Sequence, residues 1–271
     1  MNISFIGGGN MASALIAGLA ATGAGHTFHV VDPNPDALER HAADFGASTA
    51  LTIDDQLRSS DVIVLAVKPQ QMREVAGALL AHLAHSAPLV LSIAAGIRSA
   101  DLSRWLGGYG AIVRTMPNTP ALIGLGITGM VAMAGVSAQQ KSAAGDIMAA
   151  VGQVVWLDDE AQIDPVTAVS GSGPAYVFYF IEAMQQAAVE LGLSQEQGRE
   201  LALATFVGAA QLAAKSDDPV PVLREKVTSK GGTTYAALSS IEASGVKEKI
   251  IEAVKAAAAR GRELGEELGR G

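Results

Sequence analysis

Four short, almost continuous apolar runs recur along the first part of the chain: Ile3-Ser-Phe-Ile6, Asp61-Val-Ile-Val-Leu-Ala-Val67, Leu89-Val-Leu-Ser-Ile93 and Ala111-Ile-Val-Arg-Thr-Met116. Runs of this length with no polar alternate face suit strands buried on both sides. Segments of helical periodicity separate them, about Met11–Ala21, Asp36–Phe45, Gln70–Leu83 and Ala100–Leu106. With a further strand at His26–Val31 and a weaker one at Ser48–Leu51, the alternation predicts a parallel sheet covered by helices on both faces. Ligands of such sheets bind beyond the carboxyl ends of the strands. Here those ends are Gly7–Met11, Asp32–Asn34, Ala66–Pro69, Ala94–Gly96 and Pro117–Asn118, and one crevice can hold them all.

The first of these ends carries the sharpest signal. Gly7-Gly8-Gly9-Asn10-Met11 joins a strand to a helix. The Gly7-x-Gly9 spacing lets the backbone turn tightly and approach a pyrophosphate, whose charge meets the free N–H groups and positive end of the helix. Ala12 and Ser13 supply the small residues that let this helix pack on the strand, and the second strand ends in an acid, Asp32, of the kind that binds a ribose 2′-hydroxyl. A dinucleotide site is therefore expected. The competing reading is a glycine-rich turn that only joins strand to helix.

Composition narrows the field. A chain of 271 residues, 49% hydrophobic and 17% charged, can bury a sizeable core and favours two domains. Its net charge of −8 and lack of any basic run argue against nucleic acid or an anionic membrane as partner. Without cysteine there are no disulfides, thiolate nucleophiles or thiolate metal sites. No Lys or Arg precedes Arg40, so the apolar N-terminus lacks the charged region of a secretory leader, and glycines interrupt every long apolar run. A cytoplasmic protein is expected.

Two more edge strands, Thr128–Met133 and Val154–Leu157, flank a helix over about 138–151. From Asp164 onward no strand pattern remains. The helical stretches there, from Ser172 to Leu191, after Ser194 to Lys215, Val220–Val227, Tyr235–Ala243 and Lys247–Leu268, predict an all-helical second domain, divided from the first at 160/161. Helices this apolar with no sheet to cover are expected to pack against another subunit.

Within this half, Thr228-Ser-Lys-Gly-Gly-Thr-Thr234 gathers hydroxyls and unpaired backbone N–H groups at a helix start, suited to gripping a carboxylate. Its lysine precedes the glycines, so it is not a Walker A loop. A simple helix–helix turn with capping Ser and Thr remains the alternative. Ser170-Gly-Ser-Gly-Pro174 has the wrong spacing for a nucleophile elbow and no His–Asp partners, and is read as a close helix approach or a loop at the active site. His82 and His85 are read as a solvated helix face, and no metal is expected. Lys68 is either near the cofactor or an ordinary helix-entry lysine.

Taken in order, Phe5–Met11, Ala66–Pro69, Ser92–Gly96, Met116–Pro120, Ser170–Tyr176 and Val227–Thr234 closely resemble the motifs of the pyrroline-5-carboxylate reductase family, over nearly the whole chain. The resemblance implies an α/β, Rossmann-type N-terminal domain followed by an all-α dimerisation domain. It implies NAD(P)H-dependent reduction of 1-pyrroline-5-carboxylate to L-proline. It places Ser229, Gly231, Gly232 and Thr233 on the substrate carboxylate, the Thr234 hydroxyl on the imine nitrogen as the catalytic donor, and Glu160 on the ring-nitrogen side. Ile6, Gly7, Gly8, Gly9, Asn10, Met11, Ala66, Val67, Lys68, Pro69, Ala94, Ala95, Asn118 and Lys226 are placed around the cofactor. The family often has Pro where this chain has Lys230. NADPH is the expected cofactor, with Asn34 toward the 2′-phosphate, although Asp32 speaks for NAD. Homodimers assembling into a larger oligomer such as a decamer are implied. A hydroxyacid or F420-linked oxidoreductase would share only the first half, and a non-catalytic dinucleotide sensor would not need the second loop to face the nicotinamide.

Overall fold

The computed structural model describes residues 1–270, with the side chains of residues 84–86, His85 among them, outside the description. The four apolar runs form the middle of one eight-stranded sheet. Its strands are β1 Asn2–Ile6, β2 Thr27–Val31, β3 Ser48–Ala50, β4 Val62–Leu65, β5 Leu89–Ser92, β6 Ile112–Met116, β7 Gly126–Ala132 and β8 Gly152–Trp156, in the order β3-β2-β1-β4-β5-β6-β7-β8. The strand order reverses direction between β1 and β4, which is where a doubly wound sheet opens its crevice.

Every neighbouring pair is parallel except β6 and β7. That exception departs from the parallel sheet expected, and its cause is the connection. Only the short 3₁₀ turn Thr119–Ile123 separates the two strands, too little for the crossover that a parallel pairing needs. A helix over Ala138–Ala149 supplies such a crossover after β7, and β8 is parallel to β7 again.

The helices of this part are α1 Asn10–Ala21, α2 Pro35–Phe45, α3 Met72–Ser86, α4 Ser99–Trp105, α5 Ala138–Ala149 and α6 Ile163–Val166. Alternation along the strands splits the apolar side chains between two cores. Phe5, Val64, Leu91 and Val113 join Leu15 and Ile147 on one face of the sheet. Ile6, Leu65, Val90 and Ile112 join Leu79 and Leu102 on the other. Burial of each such large side chain stabilises the fold by about 1.5–3 kcal/mol, so the sheet is a rigid platform for the loops at its end.

Two compact units result, Met1–Ser172 with the segment from Ala256, and Gly173–Lys255. The division lies past 160/161 because α6 and the π-helical turn Thr167–Gly171 pack on the sheet. A Cβ on Gly129 would lie 2.7 Å from Val166, and one on Gly171 2.6 Å from the Met116 side chain. Gly171 thus provides the close approach read from the Ser170–Pro174 stretch, while the Ser170 hydroxyl donates to the Val166 carbonyl.

The second unit holds α7 Gly173–Glu190, α8 Gln195–Lys215, α9 Val220–Lys226, α10 Thr233–Ala243 and the first turns of α11 Val246–Gly269. Ser194 caps α8 in a capping box with Gln197, as its position in the sequence suggests. Gly192, at φ +96°, ends the preceding helix. Leu191, Tyr179 and Phe178 are 85%, 71% and 64% exposed. No helix of the described residues is long and apolar enough to cross a membrane.

Candidate active site

In the first unit, the β1–α1 turn lies beside the end of β4. Gly7 has φ +102°, and a Cβ there would stand 2.6 Å from the Ala66 carbonyl oxygen, so only glycine permits this approach. Its N–H donates to Val31 O at 2.8 Å, and Ala66 N–H donates to Ile6 O at 2.8 Å. Gly9 caps α1 with no side-chain bond and no acid in the first turn. A Cβ on Gly9 would meet nothing within 4 Å. The N–H groups of Gly9, Asn10, Met11 and Ala12 have no acceptor among the described residues. An uncapped helix start with open space before it fits an anionic group such as a pyrophosphate.

Asp32 follows β2 and faces the glycine turn. Its Oδ2 accepts the Gly8 N–H at 2.7 Å and its Oδ1 the Asn34 N–H at 2.8 Å, so the carboxylate braces the turn. Asn34 in turn caps α2 by accepting the Asp36 N–H at 3.0 Å. Beneath the turn lies His41, 2% exposed, whose ring Nε2 is 3.0 Å from the Gly8 carbonyl oxygen.

Around the same end of the sheet, Ala66, Val67, Lys68 and Pro69 follow β4, with Lys68 exposed, and Ala94 and Ala95 follow β5. Asn118 is buried and both ends of its amide are used: Oδ1 accepts the Ile127 N–H at 2.9 Å and Nδ2 donates to Ser170 O at 3.2 Å. It holds the β6–β7 turn against the π-helical turn. Glu160 Oε1 accepts from Arg114 Nη1 at 2.8 Å and from the Ser99 N–H at 2.7 Å. Within this unit Glu160 braces α4 to the buried Arg114. Together with Arg98, Asp164 and Arg262, this pair lines an open cavity of about 450 Å³.

In the second unit, the loop before α10 has Gly231 at φ +73° and Gly232 extended at the helix start, with no side-chain cap. Gly232 N–H donates to Ser229 O at 3.0 Å, and a Cβ on Gly232 would lie 2.6 Å from the Ser229 hydroxyl oxygen. Helix α10 starts at Thr233, earlier than the expected Tyr235, because extended Gly232 can serve as its cap. Thr233 and Thr234 therefore stand in the first turn, both exposed, and the N–H groups of Thr233, Thr234 and Tyr235 have no acceptor among the described residues. Lys226 is ion-paired with Asp218.

His41 and Arg114 were not singled out from the sequence. His41 follows the buried Ala37 and Leu38 at helical spacing, which marks a core-facing histidine but not its partner. His82, expected on a solvated face, is mostly covered and lies 3.9 Å from Asp55. Among the described residues no three His, Asp or Glu side chains are grouped as a metal site requires.

A glycine turn at the switch point of a doubly wound sheet, followed by an all-helical unit, defines the class of two-domain nicotinamide-dependent oxidoreductases. The comparisons narrow that class. Residues 160–264 match the model for pyrroline-5-carboxylate reductase dimerisation, and residues 2–96 that for NADP oxidoreductase, coenzyme F420-dependent. The chain is 46% identical to the pyrroline-5-carboxylate reductase of Pseudomonas aeruginosa, covering 99% of this chain and 98% of the relative. Its fold matches the solved pyrroline-5-carboxylate reductase of Coxiella burnetii with a TM-score of 0.91 at 41% identity, covering 97% and 98% of the two chains. It also matches the Plasmodium falciparum pyrroline carboxylate reductase with NADP bound, at a TM-score of 0.86 and 31% identity over 98% of each chain. The chain belongs to the pyrroline-5-carboxylate reductase family.

Proposed function

We propose that this protein reduces 1-pyrroline-5-carboxylate to L-proline with NADPH. The observation that carries the reading is the Ser229–Thr234 loop, whose free amides and hydroxyls at the head of α10 suit a small carboxylate. A dinucleotide-sensing module has no use for that second anion-binding loop, and an F420-linked enzyme would share only the first half.

When bound, the cofactor would supply a hydride to the ring carbon of the C=N bond, whose nitrogen carries or takes up one proton. The chain's own residues do the rest. The amides of Gly9 to Ala12 hold the pyrophosphate, with Gly8 set in place by Asp32. Ser229, Gly231, Gly232 and Thr233 hold the substrate carboxylate. The Thr234 hydroxyl donates a hydrogen bond to the imine nitrogen, favouring the charge distribution of the reduced product. Orientation within reacting distance and such polarisation each lower a barrier by several kcal/mol, on the order of 3 or more, and need no covalent nucleophile.

Two further points support NADPH and a homodimer. Asp32 spends both oxygens on backbone donors, which offsets its charge near the 2′ position, and the P. falciparum relative is described with NADP bound. The exposed apolar side chains of α7, and the matching dimerisation model, support pairing of two chains through the helical unit. Assembly of dimers into a decamer in the cytoplasm completes the reading. The test is NADPH oxidation, followed by absorbance, on adding pyrroline-5-carboxylate to the purified chain. Turnover is expected, with higher kcat/KM for NADPH than for NADH. A folded protein that oxidises neither cofactor overturns the assignment.

A further inference from the structure

The geometry points to His41 as a positioning residue for the cofactor, acting through the Gly8–Gly9 peptide without touching the bound molecule. The inference rests on the dinucleotide reading above. Gly8 is gripped at both of its polar groups by side chains from separate elements. Asp32, at the end of β2, accepts its N–H at 2.7 Å, and His41, on α2, lies with Nε2 3.0 Å from its carbonyl oxygen.

A carbonyl oxygen only accepts, so the 3.0 Å contact is a hydrogen bond with Nε2 carrying the ring hydrogen, and the Ser13 hydroxyl, 3.4 Å from the same nitrogen, is the longer and weaker neighbour. The other neutral tautomer would set two lone pairs against each other and bury an Nδ1–H that has no acceptor among the described residues. The grip also leaves little room for a side chain at Gly8 itself. A Cβ on Gly8 would come within 3.3 Å of the His41 ring and of Val30.

The consequence follows from the planar trans peptide. The carbonyl of Gly8 and the N–H of Gly9 belong to one peptide unit and point in opposite directions. With the carbonyl held down toward His41, the Gly9 N–H must face away from it. That N–H has no acceptor among the described residues, and the space a Cβ on Gly9 would occupy is open. A flip of this peptide would instead present a carbonyl oxygen to the pyrophosphate and lose one of its donors. Glycine on both sides of the peptide bond makes such a flip sterically easy, so the restraint has to come from outside the turn. His41 supplies it.

The donor and the packing of the ring can be separated with His41→Phe, which keeps a ring, and His41→Gln, whose amide nitrogen can stand near the position of Nε2. Each full-length variant is titrated with NADPH and assayed with pyrroline-5-carboxylate. His41→Phe is expected to raise the Kd and KM for NADPH by about tenfold, as for one hydrogen bond, with kcat and the KM for the imine within about twofold. His41→Gln is expected to restore most of the loss. Unchanged NADPH affinity in His41→Phe, or equal impairment in both variants, overturns the inference. Should His41→Phe not fold, hydrogen exchange of the wild-type Gly9 amide decides: NADPH must slow it, and unchanged exchange refutes the proposed orientation. If the folded wild type binds no NADPH, the dinucleotide reading itself fails, which is a separate outcome.

Discussion

Arg114 and Glu160, far apart in sequence, meet at 2.8 Å, and the arginine side chain is only 5% exposed. The same glutamate oxygen takes the Ser99 N–H, so one carboxylate ties β6, α4 and the end of the sheet together. Removing it strands a buried guanidinium whose Nε already lacks a partner. Loss of one member of a buried pair costs about 3–5 kcal/mol. Glu160 is 31% exposed and water can reach the vacated site, so Glu160→Ala should cost about 2–3 kcal/mol in urea unfolding. The double change Arg114→Met with Glu160→Leu should cost less than Glu160→Ala alone. A single variant as stable as wild type would show that the pair holds nothing.

The Thr234 hydroxyl stands on the first turn of α10, exposed and beside free amides. If it polarises the imine, Thr234→Ala should lower kcat by about a hundredfold while leaving NADPH affinity unchanged. Ser229→Ala should instead raise the KM for the imine, because its hydroxyl serves the carboxylate in ground state and transition state alike. Steady-state kinetics with both substrates varied separates the two effects. Equal kcat in Thr234→Ala and wild type removes the proposed role.

What the sequence reveals and what it hides follow a physical division. Continuous apolar runs are a local signal, so β1, β4, β5 and β6 and the loops after them are legible, and with them the glycine turn. Caps are local too, as Ser194 and Gly192 show. The direction of β7 depends on the length of one connection, and apolar patterning does not record it. The partners of Glu160 and His41 depend on how distant elements pack, so neither the Arg114 pair nor the Gly8 contact is legible in the sequence. The two residues added at the start of α10 are hidden because a helix start at Thr233 requires an extended Gly232, which a glycine permits without announcing.

Phe178 is 64% exposed on α7, and Tyr179 beside it 71%. Contiguous apolar exposure of this kind marks an interface. Phe178→Glu places a charge where a second chain is proposed to pack and should convert the dimer to monomer at micromolar concentration. Light scattering after size-exclusion chromatography gives the mass directly. A dimer that survives the substitution would move the interface elsewhere on the helical unit.

Tyr109 offers a test that concerns the scaffold alone. Its hydroxyl donates to the Pro88 carbonyl at 2.5 Å, joining the turn after α4 to the approach to β5. Burial raises its pKa above the ordinary value of 10.0, because the phenolate would lose water. A group whose pKa is raised on folding adds stability that is fully present below its unfolded pKa and is lost as pH rises through the folded one. The contribution of Tyr109 should therefore be constant at neutral pH and decline above pH 10.0. Tyr109→Phe should be less stable than wild type by about 1 kcal/mol at pH 8, the value of a typical hydrogen bond. Urea midpoints compared at pH 8 and at about pH 11 should show the gap closing, since Phe has nothing to ionise. Every other ionisable group is common to both proteins, so the difference between the two curves isolates Tyr109. A gap that stays constant or widens with alkalinity would contradict both the hydrogen bond and the burial assigned to this side chain.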